Sequence, residues 1–213
     1  MSAASTVTPR ARARRGEGDK LHGEIVEAGM RLLFETGDEE AVTIRAVAKA
    51  VGVSPPSIYL HFADKAALLL AVCEATFEEL DTYIESAVAG VDDPLEALRV
   101  RGRAYVQFGL DNPEQYRILF MTRDLHGHAG LPAPAAFEHH IEAVQRAWDA
   151  DVLAGAPSPE LAAFSLWSGV HGITSLLIAK PDFPWPDREV LIDHVLRTTV
   201  HGLASGDLQG SSG

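Results

Sequence analysis

Residues 43–69 read TIRAVAKAVGVSPPSIYLHFADKAALL, and the fold turns on how this stretch is read. Two adjacent prolines stand inside a segment whose apolar residues otherwise recur at helical spacing. Proline breaks a helix interior, but in the first turn the missing amide has no intrahelical partner to lose. Ser54 is therefore read as an N-cap, with Pro55 and Pro56 at the first two helical positions. The Ser57 amide is the expected donor to the Ser54 hydroxyl. The preceding helix opens at a second N-cap, Thr43, and closes at Gly52, which suits a left-handed cap. Val42 with Val47, and Val53 with Ile58, have the spacing of hydrophobic staples. Two helices of about two turns joined by Gly-Val-Ser make a helix-turn-helix, whose second helix enters the DNA major groove.

Spacing alone is shared with an ordinary helical hairpin; the polar groups separate the two readings. Thr43 and Arg45 open the first helix, and Tyr59, His61 and Lys65 follow the second within a few residues. Hydroxyl, imidazole and ammonium donors around a helix end suit phosphate contacts, and helix-end amides add to them. Arg45 is long enough to pair with a guanine edge, and a proline ring packs on a thymine methyl.

This stretch resembles the DNA-binding region of the TetR family of bacterial repressors. The signature is a helix-turn-helix followed by Tyr59, His61, Phe62, Lys65 and Leu68. The resemblance implies that Arg45 reads bases, that Pro55, Pro56 and Ser57 line the groove floor, and that Thr43, Ser54, Tyr59, His61 and Lys65 hold phosphates. The Pro-Pro pair departs from the small residue common in the family and gives up two amide donors. Phe62 is expected in the core.

Outward from the motif, Leu21, Ile25, Ala28, Leu32 and Leu33 share a helix face that Gly37 stops. Asp64 caps a long helix whose buried side is expected to carry Leu68, Val72, Ala75, Leu80, Tyr83 and Ala87. Further helices are expected near 94–110, 113–122, 134–153, 158–180 and 187–203. Alternating β-branched runs with hairpin turns are missing from the sequence, so the expected class is all-α. The expected divisions are a disordered basic arm (1–18), a helix-turn-helix domain (19–66), an effector-binding and dimerisation domain (67–204) and a flexible tail (205–213). The arm includes RARARR (10–15), which suits minor-groove entry or a solvated tail.

The formal charge of −12 argues against nucleic acid until its distribution is read. Residues 1–65 hold 9 Lys/Arg and 9 Asp/Glu, so all the net acidity lies beyond them. The first part is free to approach a polyanion; the second is not. A lone cysteine, Cys73, permits no internal disulfide, and the first residues lack a signal-peptide core. A cytoplasmic setting is expected.

Residues 161–179 are long and uncharged enough to span a bilayer, yet polar and glycine residues interrupt them, so a soluble helix buried on both sides is expected. Ser165, Ser168, Gly169, Gly172, Ser175 and Ala179 form a strip of small residues on it. On the last helix Leu191, Val195, Thr198 and Gly202 or Leu203 lie along one side. Together these two helices are expected to form a four-helix homodimer interface.

Trp167, His171 and Gly172, with YRILF (116–120), resemble the WHG-type C-terminal domain of one TetR subfamily. That resemblance implies an effector cavity between helices, and a ligand whose binding moves the two DNA-reading heads apart. Candidate wall residues are Tyr105, Phe108, Tyr116, Phe120, Trp148, Trp167 and His171, each of which is equally at home in a core. His126 and His128, with His139 and His140 beyond them, suggest a metal-responsive alternative, although no complete ligand set is legible. No phosphate loop, nucleophile elbow or metal-hydrolase helix is present, so neither catalysis nor a cofactor is expected.

Overall fold

The computed structural model describes residues 17–121 and 135–204. Nine α-helices and no strand occur among them: α1 (Glu17–Thr36), α2 (Ile44–Val51), α3 (Pro55–Ile58), α4 (Lys65–Val88), α5 (Pro94–Asp111), α6 (Pro113–Met121), α7 (Ala135–Asp149), α8 (Pro159–Ala179) and α9 (Arg188–Ala204). A short 3-10 turn, Glu39–Ala41, precedes α2. The chain divides into two compact units, the second beginning at Phe77 within α4 and including Tyr116 of α6. The arm RARARR and the histidines His126 and His128 lie outside the described residues.

The first unit is organised around Ile25, Leu33, Val42, Val47, Ile58, Leu68 and Val72, each with at most 1% of its surface exposed. Full burial of such a side chain contributes roughly 1.5–3 kcal/mol. Ile118 of α6 joins this cluster, as does Phe62, whose ring stacks on His22 at 4.6 Å. α1 and α4 approach closely at Gly29, where an added Cβ would lie 2.7 Å from Val72 Cγ2. Both staples are filled: Val42 and Val47 are buried, and Val53 packs against the cluster containing Ile58. Cys73 is buried within α4, and burial pushes its thiol up to about 11, so it is protonated and unreactive.

Helix starts follow their caps. Thr43 Oγ1 accepts the Ala46 amide at 3.1 Å, and Asp64 Oδ1 accepts the Ala67 amide at 2.8 Å. At Ser54 the expectation fails in its bond. The Ser57 amide donates to the Ser54 carbonyl at 2.8 Å, while the two hydroxyls meet each other at 2.9 Å. With proline at the first two positions the turn closes tightly, backbone to backbone, and the hydroxyl is left for its neighbour. Asp64→Ala is therefore expected to lower stability by about 1 kcal/mol and Ser54→Ala by under about 0.5 kcal/mol, measured by urea unfolding.

Two helical expectations need correction, on α4 and α7. On α4 the buried row is Leu68, Val72, Thr76, Leu80 and Ile84, whereas Tyr83 (41%) and Ala87 are exposed. Steps of four residues turn the row by about 40° each around the axis, away from the straight line assumed. α7 stops at Asp149, because Asp151 adopts φ 59° and the Val152 amide closes onto the Ala147 carbonyl at 3.1 Å, a Schellman stop. On α9 the buried residues are Ile192, Leu196, Val200 and Leu203, leaving Thr198 exposed and nothing within 4 Å of an added Cβ at Gly202.

The second unit packs α5 against α7, α8 and α9, and α8 against α7 and α9. Glycines sit at three crossings: an added Cβ at Gly102 would lie 2.7 Å from Leu196, at Gly109 2.4 Å from Thr174, and at Gly169 2.9 Å from Thr199. α8 is long and apolar enough to cross a membrane by length and composition alone. One side of it is packed, through Ala162, Leu166, Thr174, Leu177 and Ile178. The expected burial of the other side is not found within one chain: Leu161, Phe164 and Leu176 are 49–54% exposed there.

Candidate nucleic-acid interface and effector-binding cluster

α2 ends on Gly52 at φ 78°, where the Gly52 and Val53 amides both reach the Ala48 carbonyl, at 3.0 and 2.9 Å. This stop sets α3 against α2 within the first unit. α3 has four residues, shorter than the two turns expected, and the chain turns off it where the His61 and Phe62 amides both reach the Ile58 carbonyl, at 2.9 and 3.0 Å. Its start consequently offers no free amide to a phosphate: Pro55 and Pro56 have none, and that of Ser57 is bonded to Ser54. Anion contacts here must come from side chains.

Thr43, Arg45, Ser54, Pro55, Pro56 and Tyr59 are exposed, and Ser57, His61 and Lys65 are half-buried. Lys65 Nζ lies 3.0 Å from Glu40 Oε2, an exposed pair of a kind worth about 0–1 kcal/mol and easily exchanged for a phosphate. Lys49 is exposed beside them, and Leu60 is 84% exposed. Sequence reasoning passed over both. The signal for Leu60 was its position between Tyr59 and His61, just past the end of the apolar row.

In the second unit a polar knot forms around His171. The Tyr116 and Tyr105 hydroxyls lie 2.7 and 3.1 Å from His171 Nδ1 and 3.2 Å from each other. Ser175 Oγ lies 3.4 Å from His171 Nε2. Burial pushes both tyrosines up and His171 below its usual range, so all three are neutral near pH 7. Trp167 rests beside His171 with ring centroids 5.6 Å apart, and Phe137 meets Trp167 at 5.4 Å.

Four of the seven expected wall residues, Tyr105, Tyr116, Trp167 and His171, therefore come together. Phe108 is buried against the ring of Tyr83 at 5.7 Å. Trp148 packs on a separate apolar cluster with Val144 and Leu153, and Phe120 falls in the first unit.

His139 Nδ1 sits 2.9 Å from both carboxylate oxygens of Asp81. Asp81, Glu85 and His139 bring donor atoms within 4.8 Å of one another. Glu85 is also bonded to Arg101, whose charge opposes a cation at that point. The Asp81 hydrogen bond, against a small burial penalty, raises the His139 pKa. The raised folded value means that the pair's stability is complete below about pH 6.5 and is lost as pH rises through the folded pKa. His139→Gln is expected to flatten the thermal-midpoint profile above about pH 6.5.

Arg101 itself was missed by sequence reasoning. It is 4% exposed, its Nη2 bonds Glu85, and its buried Nη1 has no acceptor. A buried donor left unmade costs about 1–3 kcal/mol, and more when charged. The signal was available: Leu98, Arg101, Tyr105 and Phe108 are spaced along one side of α5.

A compact helix-turn-helix with an exposed donor set, followed by an all-α unit with a neutral aromatic and polar cluster, defines the class of helix-turn-helix regulators. Residues 25–72 match the family described as bacterial regulatory proteins, tetR family, and residues 98–198 match the tetracyclin repressor-like C-terminal domain, within which Trp167, His171 and Gly172 lie. The chain belongs to the TetR family.

Among curated relatives it is similar to the HTH-type transcriptional regulator EthR of Mycolicibacterium smegmatis, 33% identical over 100 residues, covering 46% of each chain. The match thus spans about half the length of that relative. Its fold is similar to that of a protein of unknown function from Rhodococcus sp. RHA1, with TM-score 0.71, 23% identity, and 92% of this chain and 99% of that chain covered. It is also similar to a TetR family transcription regulator from Marinobacter aquaeolei VT8, with TM-score 0.65, 20% identity, and coverage of 90% and 100%.

Proposed function

We propose that this chain is a sequence-specific DNA-binding transcriptional regulator, a repressor that binds a palindromic operator as a homodimer and is released by a small-molecule effector. The observation that carries the reading is the exposed set on α2, α3 and the turn after them, chiefly Thr43, Arg45, Pro55, Pro56 and Tyr59, held on a fully buried core. Arg45 serves as base reader, Pro55, Pro56 and Ser57 meet the groove floor, and Thr43, Ser54, Tyr59, His61 and Lys65 hold the backbone. Residues 19–66 act as the reading head and 67–204 as the regulatory body, in a cytoplasmic setting.

Two-fold pairing is supported by the apolar surface left on the last two helices: Leu161 and Leu176 on α8 and Val190 on α9 are all about half exposed or more. Exposed apolar groups of this size gathered on neighbouring elements mark an interaction surface. A dimer presents two heads to half-sites about 34–36 Å apart. The cluster around His171 is the effector's polar contact, and an effector releases DNA only if it binds the released arrangement more tightly.

The test is fluorescence anisotropy on DNA from upstream of the protein's own gene, with the mass in solution measured by light scattering. A dimer that binds this duplex with a steep salt dependence is expected. A monomer indifferent to every duplex at low salt would end the reading.

A further inference from the structure

We infer that Arg101 is an anion anchor, holding the carboxylate of an effector whose apolar body lies along Phe137, Phe164 and Trp167. The inference rests on the reading above that a small molecule binds the second unit.

A guanidinium has two edges that match a carboxylate's two oxygens. In Arg101 one terminal nitrogen, Nη2, meets Glu85, and the other, Nη1, is buried with nothing to receive its protons. The charges are unequally buried: the Arg101 side chain is 5% exposed and that of Glu85 40%. The Arg101 charge is thus held almost wholly inside the unit, with one of its two terminal nitrogens left without an acceptor. Asp81, whose carboxylate lies near that of Glu85, is itself hydrogen-bonded to His139 at 2.9 Å.

His140 is on α7, which packs against α5. Its Nε2 faces the Ala163 carbonyl at 2.9 Å, and a carbonyl only accepts, so Nε2 carries the proton. Burial and then the nearby Arg101 charge depress its pKa, which leaves it neutral. From His140 a row of rings leads away: Phe137 at 6.1 Å, then Phe164 and Trp167, each 5.4 Å from Phe137, then His171 at 5.6 Å from Trp167. Phe164 is 49% exposed, and Phe137 and Trp167 are half-buried, so these faces have apolar surface still to cover. A headgroup at Arg101 and a greasy or aromatic body on this row describe an amphiphilic organic acid.

The probes are octanoate and phenylacetate, each beside its neutral primary amide, read by thermal shift and titration calorimetry on the full chain. At least one acid is expected to raise the melting midpoint saturably by several degrees, and its amide to bind at least tenfold more weakly. Arg101→Met is expected to abolish the acid's effect, and Glu85→Gln, which frees the guanidinium, to retain or tighten it. Arg101→Lys keeps the charge without the fork and gives an intermediate loss, which covers the case where the methionine variant does not fold.

Equal binding of acid and amide, undiminished binding to Arg101→Met, or no binding of either acid overturns the anchor. Parallel anisotropy on the upstream DNA separates the two ideas. A wild-type protein that binds DNA but ignores both acids loses the anchor and keeps the regulator. A protein that binds an acid through Arg101 but no DNA loses the regulator and keeps the anchor.

Discussion

Arg45→Ala is expected to weaken operator binding by about 2–6 kcal/mol in the dimer, roughly thirtyfold at the least. The figure follows from a bidentate arginine–base pair worth about 1–3 kcal/mol, lost once in each half-site. Arg45 is exposed at the start of α2 and supports no part of the core, so the unfolding midpoint should move by less than about 0.5 kcal/mol. The loss is expected to be largest on the native sequence and small on unrelated duplexes, because phosphate contacts survive. Lys65→Gln should do the reverse. It lowers affinity on all duplexes alike and reduces the salt slope by about one per copy, since a phosphate contact carries no sequence information. Anisotropy titrations on specific and scrambled duplexes at several salt concentrations distinguish them. An Arg45→Ala protein that still prefers the native sequence removes arginine from the reading role.

Gly109→Ala is expected to be the most damaging single methyl in the molecule. Its Cβ would stand 2.4 Å from Thr174 Cγ2 and 2.9 Å from Tyr116 Cδ2. Neither neighbour is free to give way. Thr174 is fully buried, with its hydroxyl tied to the Val170 carbonyl at 2.7 Å, and Tyr116 is fully buried and bonded to His171. The helices must part, at a cost near or above the upper end of about 1–3 kcal/mol for overpacking. For a chain of this size that lowers the thermal midpoint by roughly 6–12 °C. Gly172→Ala is the internal control: nothing lies within 4 Å of its added Cβ, so the monomer should gain up to about 1 kcal/mol of helix propensity. Similar midpoints for the two variants would overturn the close α5–α8 crossing. Because Tyr116 also holds His171, partial folding of the Gly109 variant should come with loss of the polar cluster around His171.

Much of the first unit was legible as sequence because its signals are local. Thr43, Gly52 and Asp64 announce themselves through chemistry that acts within four residues, and the paired prolines admit one place in a helix. The donor set around α2 and α3 was legible for the same reason. Among the effector candidates, Tyr116 and His171 are 55 residues apart in the chain, and only packing brought them within hydrogen-bond distance while sending Phe108 and Trp148 elsewhere.

By itself the sequence determined an all-helical chain with a helix-turn-helix near its start, since capping, turn geometry and apolar period are properties of neighbouring residues. Tertiary structure alone decided which helix faces are covered: the winding row on α4, the outward side of α8, Ile118 in the first core, and the solitary buried donor of Arg101. Burial and hydrogen-bond satisfaction depend on what lies across a gap in space, and helical spacing fixes only which residues share a side.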